Sequence, residues 1–106
     1  GSVAAAGLGA VDIYLVMVGE KAQREGMRLA EQLRDQSPEL RLIAHCGGGS
    51  FKSQFKKADR SNARYALILG EEELAKGEAG LKPLRGAGEQ RQVKLTELAD
   101  IIVQLP

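Results

Sequence analysis

Gly47-Gly48-Gly49-Ser50-Phe51-Lys52-Ser53-Gln54-Phe55-Lys56 decides the fold, because it marks where a short strand turns into a helix. Three successive glycines admit positive φ and leave their amides open to close approach. Ser50 then supplies a side-chain oxygen suited to capping the first turn. At about 100° per residue, Phe51, Phe55 and Ala58 share one face of the helix, and Lys52, Lys56 and Arg60 form a stripe opposite it. The reading is a helix held on a sheet by its phenylalanines, with cations turned toward an anion.

Upstream, Val11 to Val18 is apolar except for Asp12 and stops at Gly19. A continuous run of that length predicts a strand buried on both faces. Ala22, Gly26, Leu29, Ala30 and Leu33 recur at helical spacing, so Glu20 to Asp35 is predicted as an amphipathic helix ended near Ser37-Pro38. Arg41 to Ala44 is a short strand before the glycines, and Tyr65 to Leu69 a third. This β-α-β-α-β order implies parallel strands joined by right-handed crossovers.

Downstream, Glu71 to Lys76 predicts a short helix with acids in its first turn and Gly77 as its stop. Ala79 to Leu84 and Gln90 to Leu95 bracket Arg85-Gly86-Ala87-Gly88-Glu89 as a hairpin. Pro83 has no amide donor, which argues for an edge position or a bulge. Thr96 is placed to cap a last helix carrying Leu98, Ile101, Ile102 and Leu105 on one face. The expected fold is α/β and three-layered, a five-stranded mixed sheet with helices on both faces.

The chain has 106 residues, 43% of them hydrophobic and 27% charged, which suits one globular domain. Gly1-Ser2 reads as a cloning scar and Val3 to Ala10 as a linker, leaving residues 11–106 as the domain. No apolar run approaches the ~20 residues that span a bilayer, so no membrane role is expected. The net charge of +1 is uninformative, but its distribution is not. Residues 52–64 set five Lys and Arg against Asp59, and residues 82–94 set four against Glu89; the intervening 71–78 segment carries four glutamates against Lys76. Folding the two basic segments to one side makes a patch.

The sequence has no G-x-x-x-x-G-K-S/T phosphate loop and no G-x-S-x-G nucleophile elbow. The lone cysteine, Cys46, follows the lone histidine, His45, which is too few ligands for a four-coordinate zinc. Neither has an evident orienting residue for nucleophilic catalysis. The pair is expected to end a strand and start a loop. No catalytic residue, metal site or cofactor is expected in the domain, and an unpaired cysteine fits a reducing, cytoplasmic setting.

Val11-Asp12-Ile13-Tyr14-Leu15-Val16, the Gly-Gly-Gly-Ser-Phe-Lys-Ser-Gln-Phe segment, Lys57-Ala58-Asp59-Arg60, Ala63 to Gly70 and Gly88-Glu89-Gln90 occur in an order that resembles the C-terminal anticodon-binding domain of bacterial histidyl-tRNA synthetases. The resemblance runs over residues 11 to 105. It implies the fold of class II synthetase anticodon-binding domains and a role in docking the anticodon loop of histidine tRNA. In that case the ATP-dependent ligase activity, with its ATP and magnesium, belongs to a catalytic domain elsewhere in a homodimeric parent, and the isolated domain is a monomer. A synthetase-like protein-interaction or regulatory module is the alternative.

In related domains the glutamate closing a G-x-x-E segment and a basic residue nine positions later contact anticodon bases; those positions here are Glu73 and Lys82. A carboxylate accepts from guanine N1 and N2, and an ammonium donates to O6 or N7. Arg85 and Gln90, which flank the hairpin, and Gln54 are further base candidates, while Lys52 and Lys56 are assigned to phosphates. Each has a plain structural alternative: a cap for Glu73, an edge guard for Lys82, a solvated face for the lysines and a turn role for Gln90. Phe51 and Phe55 are expected in the core. The chain departs from the family at Lys82-Pro83-Leu84, where Lys-Asp-Leu is common, and in the longer loop over residues 85–88.

Overall fold

Strand β1 (Ile13–Met17) is buried at all five positions, which requires cover on both faces of the sheet. The computed structural model describes residues 13–85 and 88–105; the scar and linker expected over residues 1–10, and part of the 85–88 loop, lie outside them. Helix α1 (Glu20–Gln36) follows β1, then β2 (Leu42–Ala44), α2 (Phe51–Arg60), β3 (Tyr65–Leu69), α3 (Glu71–Lys76), β4 (Glu78–Pro83), β5 (Arg91–Lys94), a 3-10 turn (Leu95–Glu97) and α4 (Leu98–Val103). The sheet order is β2-β1-β3-β4-β5. The first three strands are parallel, and β4 and β5 continue as an antiparallel meander. This is the five-stranded mixed sheet that the sequence predicts.

Alternation along the strands divides the core in two. Ile13, Leu15, Met17, Leu67, Leu69, Leu81 and Val93 pack with Ala22, Ala30 and Leu33 of α1 and Leu98 and Ile102 of α4. Tyr14, Val16, Ala66 and Ile68 pack on the other face with Ala58 and Phe55 of α2. The small residues Ala22, Gly26 and Ala30 bring α1 down onto the sheet.

Two local expectations change. Pro83 lies on an inner strand, with no bulge: it pairs with Tyr65 of β3, while β5 pairs with β4 only as far as Leu81. Its missing donor therefore falls where no second neighbour reaches. Thr96 makes no cap bond, because it sits inside the 3-10 turn between β5 and α4 rather than at an extended capping position. Leu95 N–H donates to Gly77 O at 3.0 Å, so the chain enters α4 already tied to the start of β4.

Candidate nucleic-acid interface

Helix α2 begins as its sequence requires. Ser50 is extended, and its Oγ accepts from Ser53 N–H at 3.2 Å. The face it buries is centred on Gln54 and Ala58, so the expected face holds at Ala58 and in part at Phe55 but gains Gln54 and loses Phe51. Gln54 is fully buried, so it cannot meet an RNA base, and that assignment is corrected. Its Oε1 accepts from Met17 N–H at 2.8 Å, and its Nε2 donates to Met17 O at 2.7 Å and Gly49 O at 3.0 Å. The reason lies in β2, whose pairing with β1 ends at Ala44↔Leu15. His45 N–H reaches Leu15 O. Beyond it, the Gln54 amide takes the place of the next strand residue.

With Gln54 inward, the phenylalanines move to the flank of α2 that overlooks β3 and β4. Phe51 is 38% exposed, against the expectation of core burial, and Phe55 is half-buried. Three candidates lie beside this flank at successive levels. At the N-terminal end, a Cβ on Gly70 would meet Phe51 Cζ at 2.9 Å and Glu73 Oε1 at 2.8 Å, so ring and carboxylate converge over one glycine. Glu73 Oε1 accepts from Gly70 N–H at 2.9 Å, capping α3 and leaving its second oxygen to other donors. One turn along, Lys82 Nζ sits 5.1 Å from the centre of the Phe55 ring, a cation–π contact that preorients the ammonium. At the C-terminal end, Arg85 Nη2 donates to Asp59 O at 2.9 Å and Asn62 Oδ1 at 3.0 Å. Arg85 thus anchors the start of the hairpin loop to α2, apart from Glu73. Lys52, Lys56 and Arg60 are exposed on the outer side of the same helix.

Beside this flank the α2 face of the sheet is open over β4 and β5. Gly80 pairs with Ile68 and Lys82 with Ala66, both in the α2-side core, so β4 turns these two positions to that face. Gln92 and Lys94, opposite Gly80 and Glu78, share it and are exposed. Gln90 lies across the strand: a Cβ on Gly80 would stand 3.0 Å from Gln90 Nε2. With glycine at position 80 that amide lies close over the strand. The structure therefore brings Lys82 and Gln90 together and adds Gln92 and Lys94, which the sequence reading missed. Their parity with Gly80 was the available signal, but it depends on the hairpin register.

The glycine turn is held from inside. Gly47, Gly48 and Gly49 all have positive φ, a conformation other residues adopt only with strain. His45 is buried, with Tyr14 Oη 2.8 Å from its Nδ1 and Gly48 O 2.7 Å from its Nε2. A carbonyl only accepts, so Nε2 carries a proton, and in the neutral ring Nδ1 accepts from the phenol. Burial first, and then the neighbouring Cys46, push the Tyr14 phenol above its usual range, keeping it a donor. His45 is thus a structural fastener, ending its strand as the sequence suggests.

Among the described residues no group of three or more His, Cys, Asp or Glu is placed to hold a metal ion, and no helix is long and apolar enough to cross a membrane. A cavity of about 430 Å³ on the opposite side of the sheet is lined by Glu25, Arg28, Leu69, Leu74 and Leu95, away from the cationic face of α2.

The sequence matches a family described as anticodon binding domain over residues 12–105. Among solved structures, the chain is similar to the histidyl-tRNA synthetase of Nostoc, with 28% identity and a TM-score of 0.78 over 91% of this chain and 22% of that one. It superposes equally well on the apo histidyl-tRNA synthetase of S. aureus, with 24% identity and a TM-score of 0.78 over 89% of this chain and 27% of that one. The RNA binding domain of threonyl-tRNA synthetase from Cryptosporidium parvum shares the fold at 13% identity and a TM-score of 0.77, over 87% of this chain and 22% of that one. The chain thus spans about a quarter of the length of the synthetases it matches. With most of its length inside the matched region, this chain belongs to the anticodon binding domain family.

Proposed function

We propose that this domain docks the anticodon loop of histidine tRNA on the α2 side of β4 and β5, so that the acceptor end reaches the catalytic domain of a longer histidine–tRNA ligase. The observation that carries the reading is the open face where Lys82 and Gln90 sit beside the cationic helix α2. Single-stranded loops are recognised by splaying bases onto such a surface, with cations holding the phosphates. Lys82 and Gln90 offer donors to base edges, and Glu73 offers an acceptor. Lys52 and Lys56 hold the backbone on the outer side of α2. Arg85 acts through the loop it anchors. The domain contributes binding and orientation. ATP, magnesium and bond formation belong to the catalytic domain, within a homodimeric cytoplasmic enzyme; the isolated domain is a monomer.

The test is binding of this domain to histidine tRNA and to a copy with a changed anticodon, at low and moderate salt. Preference for the native anticodon supports the reading, and equal binding to both removes base readout from it. Lys52→Ala is expected to weaken both tRNAs alike. If Lys52 neutralises one phosphate of the loop, the slope of log affinity against log salt falls by about 0.7. An unchanged slope takes Lys52 off the phosphate list.

A further inference from the structure

We propose that Phe51 is the stacking platform for one base of the bound RNA loop, and that this base is a guanine. The inference rests on the function proposed above and adds a residue to it. Large aromatic rings are normally buried, yet Phe51 is 38% exposed at the first turn of α2 while its neighbour Gln54 is fully buried. The edge of the ring lies over Gly70, where a Cβ would stand 2.9 Å from Phe51 Cζ. Leaving position 70 without a side chain keeps the space beside the ring clear.

That space is a cavity of about 300 Å³ bounded by Phe51, Val18, Gly19, Gly70 and the α3 residues Glu71 to Glu73. It opens where the parallel strands β1 and β3 end, the position at which open α/β sheets receive ligands. One wall is a flat apolar ring, and the wall supplied by α3 carries side chains that only accept hydrogen bonds. Guanine presents adjacent ring and exocyclic N–H donors on one edge, whereas adenine and cytosine each present a single amino group. Lys52, the next residue, is exposed and available to the phosphate of the same nucleotide. A base on Phe51 and a base edge at Lys82 are then served from adjacent turns of one flank of α2.

The experiment compares this domain with Phe51→Leu and Phe51→Trp on an RNA stem-loop carrying the histidine anticodon. Loops made abasic at each anticodon position in turn, and loops with guanine replaced by inosine, complete the set. Phe51→Leu is expected to weaken the intact loop at least about fivefold, the lower end of base–aromatic stacking, with melting within a few degrees of wild type. Phe51→Trp retains binding. The Phe51→Leu penalty is expected to vanish on one abasic loop only, at a guanine whose change to inosine weakens the wild type. A penalty that persists on every abasic loop overturns stacking, and one that vanishes at a position other than guanine overturns the base assignment. If the wild type discriminates anticodons but Phe51→Leu binds all loops normally, this inference falls alone. If the wild type binds every anticodon equally, the proposed function falls and takes this with it.

Discussion

Gln54→Leu is expected to lower the melting temperature by about 10–20 °C while leaving side-chain volume nearly unchanged. The Gln54 amide satisfies both Met17 N–H and Met17 O inside the core. Each buried polar group left without a partner costs about 1–3 kcal/mol, so losing both costs roughly 3 kcal/mol, and for a domain of this size each kilocalorie moves the midpoint by about 4–8 °C. Gln54→Glu keeps an acceptor for Met17 N–H but loses the donor to Met17 O, so it is expected to melt low as well. Thermal unfolding followed by circular dichroism checks both variants. If Gln54→Leu melts with the wild type but loses anticodon preference, the residue serves RNA and its structural role here is wrong.

The largest functional effect is expected at Lys82. Lys82→Ala should reduce discrimination between the native and a changed anticodon by about 10- to 100-fold, the range for one good base-edge contact. Lys82 is exposed on β4, with its ammonium over the Phe55 ring, so the variant should melt close to the wild type. Binding of the changed anticodon should move much less than binding of the native one. Paired titrations of the two tRNAs give the ratio directly. A uniform loss on both would make Lys82 a phosphate contact, and no loss on either would take it out of the interface. Phe55→Leu, which keeps an apolar side chain but removes the ring under the ammonium, should give a smaller loss of the same kind.

The strands and helices were legible because their signals are local. The apolar run at β1, the helical spacing of Ala22, Ala30 and Leu33, and the acidic start and glycine stop of α3 each name their element without reference to the rest. Glu73 and Lys82 are candidates only through resemblance, since nothing in a glutamate or a lysine alone separates a surface charge from a base contact. Gln54 misled because a polar residue on a helix is ordinarily solvated, and its burial arises because β2 ends before β1 does. That length mismatch exists only once the strands are paired. Phe51 misled for the complementary reason: the inward amide at position 54 rotates the helix and turns the ring out. Gln92 and Lys94 required the register of β4 with β5, which hairpin composition does not specify.

The Gln54 link also bears on how this domain can change over evolutionary time. Where a sheet edge is completed by chain, altering the length of that chain shifts the register of every residue after it. Here the last rung beside β1 is made by a side chain rooted in α2, so the glycine turn between Ala44 and Ser50 is released from that task. Length variation in the turn therefore leaves that rung in place as long as position 54 keeps its amide, and its cost falls on the bond from His45 to Gly48 O that holds the turn from inside. One glycine inserted after Gly47 should cost the worth of that one hydrogen bond, roughly 1 kcal/mol, and leave the rung beside β1 intact.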